Sequence, residues 1–312
     1  MRLGRSGLSV SRLCFGTLPL GPCQLGLELS AGVRLLREAL RLGVNFFDTA
    51  ECYEVYPYLA RALRGRGAGG AVVASKSYAP TWDGMAESVR RAREEMGRPV
   101  VDIFLMHEQE SELTIRGHAG AWAYLVEARA RGLVRAIGIS THRAAAVEAA
   151  TRMADLDVVH PLVNRAGLGV GGGLAAMTAA ISRAAAAGKG VYAMKALGGG
   201  ALLDDVPASL AFARDLDGVH AVAVGVASRA ELHADVRLLE GRPAGAGLLA
   251  AARRRPRRLI VEAHCCGCGS CLAACPEAAL ALADGRARVS DERCVRCGYC
   301  IGACPELALK IV

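Results

Sequence analysis

The chain has 312 residues, 53% of them hydrophobic and 22% charged, with only 4% aromatic. This is enough for one large globular domain plus a small one, with a core built mainly of Ala, Val, Leu and Ile. The net charge of +8 suggests nucleic acid, but five arginines of RRRPRR at 253–258 carry most of it and leave +3 without them. No aromatic residues interleave with those arginines, so a base-stacking surface is not expected. The N-terminal stretch MRLGRSGLSVSRLCFG lacks an apolar signal core, and the longest uncharged run, Ala166–Ser182, is too short to span a bilayer. A cytoplasmic location without a membrane span is the expectation.

Taken in chain order, residues 1–10 carry turn glycines at Gly4 and Gly7 and predict a hairpin cap. Strand and helix patterns then alternate. The strand-like runs are Arg12–Gly16, Asn45–Asp48, Val72–Lys76, Val101–His107, Ala136–Ser140, Val158–Val163, Gly190–Lys195 and Ala221–Val226. The helix-like runs are Ala31–Arg41, Tyr56–Arg64, Gly84–Met96, Ala121–Arg131, Arg143–Met153, Leu174–Ala187, Pro207–Asp215 and Arg229–Glu240. Asp83 reads as an N-cap, and Gly132 and Gly188 as C-caps. The loop 108–120, EQESELTIRGHAG, gives no readable substrate preference.

Eight such units predict an α/β fold, a closed (β/α)8 TIM barrel over 1–245. Asp48, Lys76, His107 and Ser140 end successive strands, and the C-terminal strand ends are the usual active-site face of such a barrel. Gly167, Gly169 and Gly172 fit G-x-G-x-x-G, but no acidic residue follows at about 20 positions, as a dinucleotide fold requires. GLGVGGG therefore reads as a flexible loop at the barrel mouth.

Residues 246–258 read as a short helix or coil and a basic linker, and 259–312 as a small α+β ferredoxin-like dicluster domain. Two runs repeat one pattern: Cys265, Cys268, Cys271, Cys275 with Pro276, and Cys294, Cys297, Cys300, Cys304 with Pro305. Thiolates at this spacing wrap a [4Fe–4S] cube, and the fourth Cys of each run ligates the other cluster. The expected sets are Cys265, Cys268, Cys271 and Cys304 for one cluster, and Cys294, Cys297, Cys300 and Cys275 for the other. Cys14, Cys23, Cys52 and Cys266 fall outside the pattern and read as small buried or incidental residues.

Residues 45–53, NFFDTAECY, resemble the aldo-keto reductase family, whose members carry Asp-Thr-Ala and then Tyr at this spacing. The likeness extends through LGRSGLSVSRLCFGT, VVASK, VDIFLMH, RAIGIS, ALGGG and VAVGVASRAEL. With the tail, the chain resembles the branch of that family fused to a ferredoxin-like domain. The resemblance implies a catalytic tetrad of Asp48, Tyr53, Lys76 and His107 acting on a small-molecule carbonyl substrate. A carbonyl that receives hydride becomes an alkoxide and needs a proton. Tyr53 supplies it if its pKa, normally about 10, is lowered by the Lys76 ammonium, with Asp48 keeping Lys76 charged. His107 orients the carbonyl.

The resemblance also implies NADPH, held by Ser140 and Asn164, by Met194 and Lys195 after the seventh strand, by Leu197, Gly198 and Gly200 of the phosphate-cradling loop, and by Ser228 and Arg229. Thr141 stands where the family has Asn, the sixth strand offers His160 without a Gln, and Met194 replaces a stacking Tyr. Three readings follow: an NADPH-dependent carbonyl reductase whose clusters transfer electrons to a redox partner protein or sense redox state, an electron-transfer protein whose barrel has lost efficient hydride transfer, and a barrel with structural clusters in an interaction module.

Overall fold

The computed structural model describes residues 1–22, 24–65, 69–252, 258–306 and 308–311. Cys23 and the arginines of 253–257, both singled out above, lie outside the described residues. Eight parallel strands close into a barrel in sequence order: β1 (Leu13–Gly16), β2 (Phe46–Asp48), β3 (Val72–Ser77), β4 (Val101–Met106), β5 (Val134–Thr141), β6 (Val158–Pro161), β7 (Gly190–Met194) and β8 (Ala221–Gly225). β8 pairs with β1 to seal the ring.

Helices α1 (Leu29–Arg41), α2 (Tyr56–Ala62), α3 (Trp82–Met96), α4 (Glu112–Gly117), α5 (Ala119–Ala130), α6 (Ala144–Arg152), α7 (Leu174–Ala186), α8 (Val206–Asp215) and α9 (Arg229–Leu239) surround it. No described helix is long and apolar enough to cross a membrane. The strand apolar runs are continuous because both faces are covered. Outward residues such as Phe15, Phe47, Val73 and Ile137 pack under the helices. Inward residues, among them Cys14, Phe46, Ala74, Leu105, Val158 and Tyr192, fill the barrel. The terminal hairpin, bridged at Arg2 and Ser9, closes the bottom with Leu3, Leu8 and Val10.

Two local expectations change. α3 starts at Trp82 because the Thr81 hydroxyl accepts from the Gly84 amide, so Thr81, not Asp83, is the N-cap. Asp83 sits in the first turn, where the helix dipole favours a carboxylate. The loop 108–120 contains α4, nucleated by a capping box in which Ser111 and Thr114 satisfy each other's backbone amides.

After α9, α10 (Ala246–Ala251) follows, with Leu248 and Leu249 against the barrel core. The tail then forms β9 (Leu259–Val261), α11 (Ser270–Ala273), a hairpin of β10 (Leu280–Ala283) and β11 (Arg286–Val289), α12 (Tyr299–Gly302) and β12 (Leu309–Ile311). β9 pairs antiparallel with β12, so the ends of the module meet. Its core is small and consists largely of Ala, Leu and four of the cysteines.

Candidate active site

Strand alternation sets the site. Side chains two apart share a face. Phe46 inward therefore puts Asp48 inward one layer higher, and Ala74, Val158 and Tyr192 do the same for Lys76, His160 and Met194. His107 follows Leu105 in the same way, its amide donating to the Ser77 carbonyl at 2.9 Å. Tyr53 arrives on a short 3-10 turn after β2. The four residues of the expected tetrad thus meet at the C-terminal mouth, all buried.

Asp48 is the hub. Its Oδ2 accepts from Lys76 Nζ at 2.8 Å and its Oδ1 from the Tyr192 hydroxyl at 2.9 Å. Lys76 Nζ also donates to the Thr49 carbonyl at 2.6 Å and lies 5.0 Å from the centre of the Tyr53 ring. His160 stacks on Tyr192 with centroids 3.8 Å apart, and its Nδ1 donates to the Tyr192 carbonyl at 2.6 Å. Burial pushes the His160 pKa down to about 4, against the opposing pull of Asp48, so the ring is neutral.

Burial, and then the Lys76 charge, hold His107 well below the usual histidine range. The Tyr53 phenol moves the other way. Burial raises it well above its ordinary value, and the charge of Asp48 adds to this. The direction is opposite to the lowering expected from Lys76, because the ammonium faces the ring and is already matched by Asp48. Tyr53 therefore keeps its proton at ordinary pH.

A residue absent from the sequence-based set completes this cluster. Tyr299, between Cys297 and Cys300, brings its hydroxyl 3.2 Å from His107 Nε2. It also lies beside the Tyr53 ring, centroids 6.4 Å apart, and pulls the Tyr53 pKa down. With the His107 proton on Nε2, His107 donates to the Tyr299 oxygen. His107 Nδ1 is then a buried acceptor with no hydrogen-bond partner among the described residues. Tyr78 stacks on His107 at 4.3 Å, and its hydroxyl donates to Glu108 at 2.6 Å. Glu110, Glu112 and Arg116 of the same loop face solvent.

A cavity of about 470 Å3 opens on the other side of Tyr53. Its deep end holds Asp48, Tyr53, His160 and Met194, its flanks Lys195, Leu197, Gly199 and Gly200, and its far end Gln24, Ala227 and Glu231. Its outer wall belongs to the tail: Val295, Arg296 and Cys297. Met194, Lys195, Leu197 and Gly200 line it. Gly198 neighbours it without lining it. Ser140, Asn164, Ser228 and Arg229 are engaged elsewhere. The Ser140 hydroxyl accepts from the Glu108 amide at 2.9 Å. Asn164 closes its own loop through Leu168 at 2.9 and 3.0 Å. Ser228 caps α9, and Arg229 pairs with Glu38 at 3.0 Å.

The tail docks on the mouth through packing and polar contacts. Gly199 has φ +64°, and a Cβ there would lie 2.6 Å from the Val295 carbonyl oxygen. A Cβ at Gly169 would lie 3.0 Å from a Val295 methyl. Gly169 and Gly199, each in a loop at the barrel mouth, therefore admit the tail. Glu277 accepts from His142 Nδ1, whose Nε2 accepts from Lys195 Nζ at 3.0 Å. Gln24 donates to the Arg296 carbonyl at 3.1 Å. None of these pairs is near in sequence, and no periodicity marks them.

The eight repeated cysteines gather in two groups. Cys265, Cys268, Cys271 and Cys304 line one void, and Cys275, Cys294, Cys297 and Cys300 another. All described cysteines are free thiols. Among the described residues, no three His, Cys, Asp or Glu side chains close on a single ion, whereas each void is lined by four thiols of the repeated pattern, as a cubane needs, with Cys266 also bordering the first. The fourth cysteine of each run accepts an amide four residues on, Ala279 to Cys275 and Ala308 to Cys304, both at 3.3 Å. The residues fit two [4Fe–4S] clusters in the crossed pattern.

Residues 12–215 match the description of the Aldo/keto reductase family, and 258–305 that of a 4Fe-4S dicluster domain. An L-galactose dehydrogenase of Arabidopsis thaliana is 35% identical over 121 residues, 35% of this chain and 37% of that protein. Aldo-keto reductase Rv2971 of Mycobacterium tuberculosis is 27% identical over 136 residues, 42% and 46% of the two chains. These matches span less than half of either relative. Among solved structures, a putative aldo-keto reductase from Pseudomonas aeruginosa is 26% identical with a TM-score of 0.66, covering 80% of this chain and 95% of that one. The holo form of an aldo-keto reductase from Bacillus halodurans, at 20% identity and a TM-score of 0.65, covers 81% and 96% and shares the fold.

Proposed function

Because the chain belongs to the aldo/keto reductase family and carries a 4Fe-4S dicluster domain behind its barrel, we propose that it is an NADPH-dependent reductase of a small-molecule carbonyl compound. The observation that carries this reading is the convergence of Asp48, Tyr53, Lys76 and His107 in one buried layer, with Asp48 and Tyr53 lining the deep end of the 470 Å3 cavity. That volume lies within the range of small-molecule and cofactor sites. The proposed division is a barrel over 1–245, a linker over 246–258 and a dicluster module over 259–312.

Met194, Lys195, Leu197 and Gly200 are the residues that would hold NADPH, which supplies hydride when bound. Tyr53, kept protonated by burial, donates the proton that the nascent alkoxide needs. His107, neutral, donates a hydrogen bond that orients the carbonyl and steadies its growing negative charge. Asp48 fixes Lys76 against the Tyr53 ring. The cysteine quartets would hold clusters that exchange single electrons, and Cys297 borders the cavity.

The test is NADPH binding by calorimetry, followed by NADPH oxidation with a panel of aldehydes and ketones. Tyr53→Phe should lower turnover by at least about 100-fold and leave NADPH affinity almost unchanged. No binding at millimolar NADPH overturns the reading. A second reading, an electron-transfer protein without efficient hydride transfer, is favoured by one observation: Ser140 and Asn164 are both engaged in loop hydrogen bonds. The NADPH titration separates the two.

A further inference from the structure

We propose that the Tyr299 phenol stands where the oxygen of a carbonyl substrate has to sit, so that the docked dicluster module and a bound carbonyl compound exclude each other. The inference rests on the roles given above to Tyr53 and His107. If Tyr53 donates a proton to the carbonyl oxygen, that oxygen lies within about 2.6–3.2 Å of the Tyr53 hydroxyl. If His107 orients the same oxygen, it also lies within reach of His107 Nε2. Few positions satisfy both conditions. The Tyr299 hydroxyl takes the His107 side of this position, at 3.2 Å from Nε2, and lies beside the Tyr53 phenol, whose pKa it pulls down.

The ring of Tyr299 fills the space that the rest of a substrate would use. It lies 6.4 Å from the Tyr53 ring at an interplanar angle of 29°, and meets Tyr78 edge-on at 6.0 Å. The cavity on the cofactor side of Tyr53 stays open. The barrel is therefore open on one side of its proton donor and filled on the other.

Tyr299 has little freedom to step aside alone. It begins α12 between two cluster thiols, Cys297 and Cys300. The segment before it is held by Val295 against Gly199 and by the Arg296 carbonyl on Gln24. Seating a carbonyl oxygen between Tyr53 and His107 thus requires this segment to lift, and the Glu277–His142 contact resists that movement. The coupling is reciprocal: whatever loosens the docked module favours the carbonyl compound, and the carbonyl compound loosens the module.

The experiment titrates 4-nitrobenzaldehyde into the full-length, cluster-loaded protein without NADPH, by calorimetry. Tyr299→Ala should bind the aldehyde at least about tenfold more tightly than wild type, and adding His107→Ala should abolish the gain. Glu277→Ala weakens docking without touching a thiol or Tyr299, and should raise the affinity in the same direction. It decides the matter if the Tyr299 variant fails to retain about eight irons. Equal affinity in wild type and an iron-replete variant overturns the proposal. NADPH oxidation by the same variants tests the reductase reading separately. Tighter aldehyde binding with no turnover leaves the Tyr299 assignment standing and removes the reductase. Turnover with unchanged affinity does the reverse.

Discussion

Asp48→Asn isolates the electrostatics on which the barrel mouth rests. Lys76 and Asp48 are almost inaccessible, at 1% and 7% side-chain exposure, and pair at 2.8 Å. The amide keeps an acceptor for the Tyr192 hydroxyl but leaves the Lys76 ammonium with only the Thr49 carbonyl. Leaving a buried charge uncompensated costs about 3–5 kcal/mol. The upper end has a second bound, since releasing the proton of an ordinary lysine at pH 7 costs about 4.6 kcal/mol. With a urea m-value of about 3 kcal/mol/M, the unfolding midpoint should fall by about 1–1.5 M. Removing both charges in Asp48→Asn/Lys76→Met should recover most of that loss, because no charge is then left buried. The assay is anaerobic urea unfolding of cluster-loaded protein followed by far-UV circular dichroism. A shift below about 0.3 M in the single variant, or a double variant no more stable than the single, refutes the reasoning.

Three further outcomes are expected. His160 ordinarily titrates at 6.5 and is held at about 4 in the folded chain, so the unfolded state binds more protons between those values and stability falls as pH drops through that window. His160→Gln should flatten the pH dependence of unfolding by about 1.2 kcal/mol between pH 7 and 5.5; an unchanged pH profile contradicts the assignment. Gly199→Ala places a Cβ against the Val295 carbonyl at a left-handed position, and should speed hydrogen exchange of the 295–299 amides at least about tenfold, with unchanged protection as the contrary result. For the crossed ligand pattern, Cys268→Ser/Cys304→Ser should retain about four irons, as either single variant does, whereas Cys268→Ser/Cys275→Ser should lose both clusters. Equal iron in the two double variants refutes the crossing.

The sequence was most legible where one rule acts locally. The barrel strands are mainly apolar runs, and alternation along β2, β3 and β4 carried Asp48, Lys76 and His107 to the mouth. The cysteine spacing likewise anticipated two quartets that the fold gathers. Local competition hid smaller features: Thr81 outranks Asp83 because its hydroxyl reaches the Gly84 amide, and α4 emerges from a polar loop through the Ser111–Thr114 pair. What could not be read was the seating of the tail. Val295 meets Gly199, Glu277 meets His142, and Tyr299 meets His107. These contacts join segments about 100–190 residues apart, and no periodicity marks them. The nearest signal was an aromatic residue between two thiols, in Cys-Gly-Tyr-Cys.

The crossing of the fourth thiols has a consequence for the order in which the chain is made. The first quartet contains Cys304 and the second contains Cys275. Neither iron site is complete until the second run has been synthesised. All eight barrel strands precede that point, the last ending at Gly225. At translation rates of about 5–20 residues per second, roughly ten seconds separate the finished barrel from the last thiol. During that interval the mouth has no Tyr299 above it and no Cys297 beside it. The barrel matures uncovered, and the iron-bearing module closes over it last.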